Sequence, residues 1–101
     1  MTSPLPIRVS RRAAAQIEEA ASWWALNRPA APGAIQQELE RALSLLVLQP
    51  GLGARALNVR LEGVRRLHLS RIHYHLYYRV TALGIEVLVL WHTSRGTGPT
   101  T

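Results

Sequence analysis

The stretch GVRRLHLSRIHYHLYYRVTALGIEVLVLWHTSRG, Gly63–Gly96, holds most of the side chains able to do chemistry. It carries all four histidines, all three tyrosines, five of the twelve arginines and one of the three tryptophans. Imidazoles move protons near neutral pH, and guanidinium forks grip carboxylates or phosphates. Three kinds of function use such groups. Metal binding needs three or four converging ligands. His73 and His75 stand at i, i+2, but no third ligand follows at a telling distance, and the chain has no Cys and no Asp. RNA cleavage without a metal needs a base for the 2′-hydroxyl, an acid for the leaving oxygen and cations for the phosphorane. His75 or His92 could be the acid or base, with Arg66, Arg79 and Arg95 as phosphate clamps. A basic surface for an acidic protein partner needs the same residues without tuned geometry.

The elements that must position these groups are legible in the hydrophobic pattern. Val64–Ser70 and His73–Val80 alternate apolar and polar residues, and Ile85–His92 is almost continuously apolar. Together they read as a three-stranded meander. Period 2 places Tyr74, Leu76, Tyr78 and Val80 on one face of the middle strand and His73, His75, Tyr77 and Arg79 on the other. In the first strand Leu67 and Leu69 oppose Arg66 and His68. In the third, Ile85, Val87, Val89 and Trp91 oppose Glu86, Leu88, Leu90 and His92. The expectation is an apolar face that seats helices, and an open face bearing Arg66, His68, His75, Tyr77, Arg79 and His92 over Leu88 and Leu90.

Upstream, Leu5–Val9 reads as a short edge strand, because Pro6 cannot donate to a ladder. Ser10 is a good N-cap for a helix starting at Arg11. Along that helix Ala13, Ile17, Ala20, Ala21 and Trp24 form one stripe. Trp23 lies about 100° round from Trp24, so one Trp belongs to the core and the other to a flank or interface. NRPAAPG, Asn27–Gly33, breaks the chain. A second helix over Ala34–Leu48 carries Ile35, Leu39, Ala42, Leu43 and Leu46, with Leu45, Val47 and Leu48 widening its apolar end. Leu52–Glu62 reads as irregular. Residues 94–101 read as a mobile tail of turn formers. The fold class is therefore α+β, ordered β-α-α-β-β-β: a short N-terminal strand and an antiparallel helical hairpin packed on one face of a small antiparallel sheet.

The chain has 101 residues and no composition shift, which predicts a single domain over 1–101. Its net charge is +6, and every basic residue is Arg. Such a chain is drawn to acidic partners, protein or nucleic acid. There is no signal-peptide pattern and no apolar run long enough to span a membrane. The absence of Cys fits a reducing compartment, so a cytoplasmic protein without membrane contact is expected. No metal and no cofactor is expected.

Three local patterns, GVRRLHL at Gly63–Leu69, HLYYRV at His75–Val80 and VLVLWHTSRG at Val87–Gly96, resemble the RelE/ParE superfamily of toxins from bacterial type II toxin–antitoxin modules, within it the ParE-like branch. The resemblance covers nearly the whole chain. It implies a toxin neutralised by a ParD-type antitoxin, whose C-terminal segment wraps the helices and sheet. Operator DNA would be met only through that antitoxin. ParE-like members poison DNA gyrase, whereas RelE-like members cut mRNA in the ribosome. The chain lacks the lysines common in RelE-type sites, and Ser94–Thr101 has no Tyr. Both departures favour a gyrase-binding toxin that is not itself an enzyme. On that reading Arg79, His92 and Arg95 contact the target. Trp23, Trp24, Leu45, Leu48, Arg66, His75 and Tyr77 contact the antitoxin. The alternatives are a metal-independent endoribonuclease using Arg66, Arg79, His92 and Arg95, and a degenerate toxin that retains only antitoxin binding.

Overall fold

A single residue ends the first strand and starts the first helix. In the computed structural model, which describes residues 5–94 and 99, β1 spans Ile7–Val9 and α1 spans Arg11–Asn27. Between them, the Ser10 N–H donates to Val87 O at 3.0 Å, still within the sheet. Its Oγ accepts from the Ala13 N–H at 3.0 Å, capping the helix. The chain therefore turns from sheet to helix without a loop, which lays α1 directly on the sheet.

The second helix, α2, spans Ala34–Leu46, two residues shorter than expected at its C-terminal end. The meander strands are β3 (Val64–Leu69), β4 (Tyr74–Thr81) and β5 (Gly84–His92), each within a residue of the expected bounds. Between Leu52 and Glu62, read as irregular, a two-residue strand β2 (Ala54–Arg55) adds to the edge of β3. The sheet order is β1-β5-β4-β3-β2. The meander is antiparallel, but β1 pairs with β5 in parallel. The sheet is thus mixed, because the whole chain lies between β1 and β5 and returns in the same direction. Gly84 makes this pairing possible. Its φ is +131°, and a Cβ there would overlap the Pro6 carbonyl oxygen, which accepts from the Ile85 N–H at 2.9 Å.

The main core lies between the helices and one face of the sheet. It joins Ala13, Ala20, Ile35, Leu39, Ala42 and Leu46 to Leu69, Ile72, Leu76, Tyr78, Ile85, Val87 and Leu90. The helical stripes match the 3.6-residue period, and each large aliphatic side chain contributes about 1.5–3 kcal/mol by burial. Glu38 is the buried charged residue of α2, and Arg71 in the β3–β4 turn pairs with it at 3.3 Å. Tyr78 anchors the connection after α2. Its hydroxyl donates to Pro50 O at 2.8 Å and accepts from the Gly53 N–H at 2.9 Å. Gly53 must be Gly, since a Cβ would stand 2.8 Å from that hydroxyl and 2.9 Å from Arg66 O. Burial raises the Tyr78 pKa, against smaller opposing effects from the Gly53 N–H and Arg65.

A smaller second core lies on the opposite face. Val64, Tyr77 and Val89 are buried there under Ala56, Val59 and Leu61, with Leu88 and Trp91 beside them. Of the tail 94–101, Ser94 is exposed and Pro99 buried. Its other residues, Arg95 included, lie outside the described residues.

Candidate functional site

The expected open face is divided by a β-bulge. Tyr77 pairs with Val89 and Tyr78 with Val87, leaving Leu88 as the extra residue of β5. An inserted residue inverts the alternation beyond it. Ile85 and Val87 face the helices as period 2 predicts. Past the bulge, Leu90 faces the helices, while Val89 and Trp91 turn to the other side. The faces expected for Val89, Leu90, Trp91 and His92 are therefore reversed. Two side chains of α1 hold the bulge: Ser10 Oγ donates to Leu88 O at 3.0 Å, and Gln16 Oε1 accepts from the Leu90 N–H at 3.0 Å. Bulge groups that lose a ladder partner are thereby satisfied. Nothing in the periodicity of β5 announces this, because an all-apolar run has no polar member to mark the slip.

The functional consequence concerns His92. It was expected beside Arg66 and Arg79, but it stands opposite Tyr74 on the helix side, with ring centroids 5.0 Å apart at 88°. The Ser94 N–H donates to His92 Nδ1 at 3.1 Å, and Ser94 Oγ lies 2.6 Å from the same atom. The neutral ring therefore carries its proton on Nε2. Along β4, Arg79 is five residues from Tyr74, so His92 and Arg79 lie on opposite faces and roughly 17 Å apart along the strand. Arg66, Arg79 and His92 do not converge on one phosphate.

The open face that remains has two ends and a plugged middle. At one end His68 pairs with His75, ring centroids 5.0 Å apart, with Arg66 next along the same face of β3. His75 has its pKa lowered, first by burial and then by the positive charges of Arg66 and His68. At the other end Arg79 Nε donates to Glu86 Oε1 at 2.6 Å, so this guanidinium is already engaged. In the middle Tyr77 is 1% exposed, and its hydroxyl accepts from Asn58 Nδ2 at 3.1 Å. Tyr77 was expected as a surface contact. It is instead a core residue of this face, because residues 56–61 fold over it.

The apolar candidates fall on the helices. Trp24 packs on the main core, while Trp23 is 48% exposed. Their rings meet edge to face at 6.1 Å. Leu45 in the last turn of α2 and Leu48 in the turn that follows are exposed, with Leu52 nearby in sequence. A cleft of about 160 Å³ runs from Leu45 and Leu52 to Leu67 and His68, joining this apolar end to the histidine end of the sheet. A second groove of about 310 Å³ lies between α1 and the ends of β4 and β5, against Gln16, Glu19, Trp23, Trp24, Tyr74 and His92. Glu19 and Gln16 were missed in the sequence. Their spacing with Trp23, at i, i+3 and i+7 along α1, was the available signal. Among the described residues no three His, Cys, Asp or Glu side chains gather as a metal site. Among them, too, no helix is long and apolar enough to cross a membrane.

Comparison with known proteins accords with this geometry. The model for the ParE toxin of the type II toxin–antitoxin system parDE matches residues 7–96. Among solved structures, a chain of the "Chromosomal ParDE TA system from P. aeruginosa" has the same fold at a TM-score of 0.73 and 21% identity. The match covers 89% of this chain and 97% of that one. Among curated proteins none matches. The family match begins at β1 and passes through the helical hairpin, the bulged β5 and His92: the chain belongs to the ParE toxin family of type II toxin–antitoxin systems.

Proposed function

We propose that this toxin arrests growth by binding DNA gyrase, without a catalytic step of its own, and that a ParD-type antitoxin silences it in the cytoplasm. The observation that carries the reading is the match to the ParE family over residues 7–96. The bulge supports it. Residues that a ribonuclease would gather in one site stand on two faces, and one of the arginines is already paired with Glu86. Binding toxins have no such requirement, since separate contacts on two faces can each add to affinity.

The antitoxin contacts are proposed at Trp23, Trp24 and Leu45 on the helices, at Leu48 in the turn after α2, and at Arg66 and His75 on the sheet. An acidic segment that is disordered when free could cover the exposed apolar residues and meet the basic end of the open face together. Operator DNA is reached only through the antitoxin. For the target, Arg79 and His92 are separate contacts, and Arg95 is proposed from sequence alone. Plasmid supercoiling tests the reading: the purified toxin should inhibit gyrase or accumulate cleaved DNA, and a ParD-type antitoxin should relieve it. Full supercoiling at saturating toxin removes gyrase as the target. Unchanged growth on induction would point to a degenerate toxin.

One cluster favours a second reading. If the toxin cuts RNA, its working groups are His68, His75 and Arg66, which share one face, and not His92. Cleavage of mRNA on programmed ribosomes, abolished by His75→Ala and not by His92→Ala, would establish it.

A further inference from the structure

Four arginines stand between Arg65 and Arg79 in sequence, and three of them are engaged. The Arg65 guanidinium donates to Gly53 O at 2.7 Å, Arg71 pairs with Glu38 and Arg79 pairs with Glu86. Arg66 is the exception. It is half-buried, yet among the described residues its guanidinium has neither an ion pair nor a hydrogen-bond acceptor. A guanidinium taken partly out of water without an acceptor is costly, and an incoming anion removes that cost.

Its neighbours on the same face are two imidazoles. His68 lies two residues along β3, and His75 pairs with it across the ladder. Their rings meet edge to face at 5.0 Å. Tyr77, buried and 6.4 Å from the His75 ring, backs that ring from the middle of the face. The other elements around His75 bring no negative charge. Trp91 is its partner on β5, residues 56–61 over Tyr77 carry Arg60 as their charged member, and His73 precedes β4 in the turn. The helices pack on the opposite face. Burial first, then the charges of Arg66 and His68, hold the His75 pKa below 6.5 in the free chain. An anion seated among the three groups reverses that field. It gives Arg66 an acceptor and favours the charged form of a histidine that the empty site keeps neutral.

The cleft of about 160 Å³ selects the occupant. His68 is on its wall with Leu45, Leu52 and Leu67, so the site opens onto an apolar surface. A nucleic-acid strand has no aliphatic side chain for that surface, and its phosphates would approach Glu38, which borders the cleft. A peptide with an acidic residue beside Leu or Val fits both halves, with the carboxylate on Arg66 and the aliphatic neighbours in the cleft.

We propose that Arg66, His68 and His75 form an oxyanion site for one carboxylate of an acidic, partly apolar partner segment, and that filling it draws a proton onto the histidine pair. The inference rests on the acidic antitoxin segment of the proposed function and adds a control to it. Such a partner is held more tightly as pH falls from about 8 to 6, the range in which histidines gain charge. The empty site behaves in the opposite sense, since protonating it costs the free toxin stability.

The test uses neither gyrase nor antitoxin, so its failure leaves the gyrase reading standing, and failure of the supercoiling assay leaves this site standing. The blocked tripeptide acetyl-Leu-Glu-Leu-amide is titrated into the purified toxin while the His68 and His75 ring C–H resonances are followed. Saturable shifts are expected with Kd of about 1 mM at pH 6 and about tenfold weaker binding at pH 8. The titration midpoint of the pair should rise by about one pH unit at saturating peptide, the same tenfold read from the other side. Arg66→Gln should weaken binding about tenfold at both pH values. The double variant His68→Gln, His75→Gln should bind equally at pH 6 and pH 8, at about the level of the parent at pH 8. Arg11→Gln, an exposed arginine on α1, should change nothing. Four results would overturn the proposal: no saturable shift at pH 6, equal affinity at the two pH values in the parent, equal binding of acetyl-Leu-Gln-Leu-amide, or tighter binding of the dinucleotide thymidylyl-thymidine than of the peptide. The last would make this end of the sheet a nucleic-acid site.

Discussion

The two faces of this sheet are built on different terms. The helix-covered face is a continuous apolar layer, and the hydroxyl of Tyr78 within it is satisfied at both ends by the loop it anchors. The opposite face has a small core around Tyr77 and Val89, roofed by residues 56–61, with charged or titrating groups at either end. The first face holds the fold together. The second keeps Arg66, His68 and His75 in a fixed array, close to the exposed apolar end of α2. The bulge at Leu88 is the hinge between these roles, because it transfers His92 from the second face to the first.

The comparison can be broken by substitution. The largest effect is expected for Leu76→Ala, fully buried under the helices, which should lower stability by about 3 kcal/mol. For a domain of this size that is a fall in Tm of roughly 12–24 °C. Val89→Ala, in the smaller core, should cost about 1–2 kcal/mol. Equal losses in denaturant unfolding would mean that the two faces are equal partners. Next comes the bulge. Gln16→Leu leaves the Leu90 N–H without its acceptor and should cost about 2 kcal/mol, with markedly faster hydrogen exchange at Leu90. Gln16→Glu keeps an acceptor and should restore most of the protection. Tyr77→Phe removes the bond from Asn58 and should cost about 1 kcal/mol. It should also loosen residues 56–61 in exchange measurements and leave β4 protected.

The smallest effect is the pH dependence of the open face. Burial, Arg66 and His68 lower the folded-state pKa of His75 below 6.5. The unfolded state therefore binds the proton more readily, and stability falls as pH drops from about 6.5 through the folded pKa. His75→Gln should flatten the slope of Tm against pH over that window. An unchanged slope would place the titrating group elsewhere.

Much of the fold was legible because its elements follow simple periods. Ser10 as a cap, the two helical stripes and the three meander strands were each marked by residues whose chemistry is local. The division of the site was not legible. Alternation assigned His92 to the wrong face because the bulge lies inside VLVLW, where every residue is apolar and a slip of one leaves the pattern unchanged. Tyr77 was read as exposed because its cover comes from a segment with no periodicity of its own. The groove was missed because Gln16 and Glu19 are polar members of α1 outside its apolar stripe, and only the ends of β4 and β5 make them a wall.

The sequence by itself determined the element order, the apolar stripes, the excess of Arg and the patterns that resemble the ParE-like toxins. These rest on nearest-neighbour and one-turn interactions, which a linear reading captures. Only the tertiary structure decided the parallel docking of β1, the side of the sheet on which His92 stands, the burial of Tyr77 and the pairing of Arg79 with Glu86. Each depends on contacts between segments far apart in the chain. The position of the bulge shows why: its freed backbone groups are met by Ser10 and Gln16, more than seventy residues away in sequence.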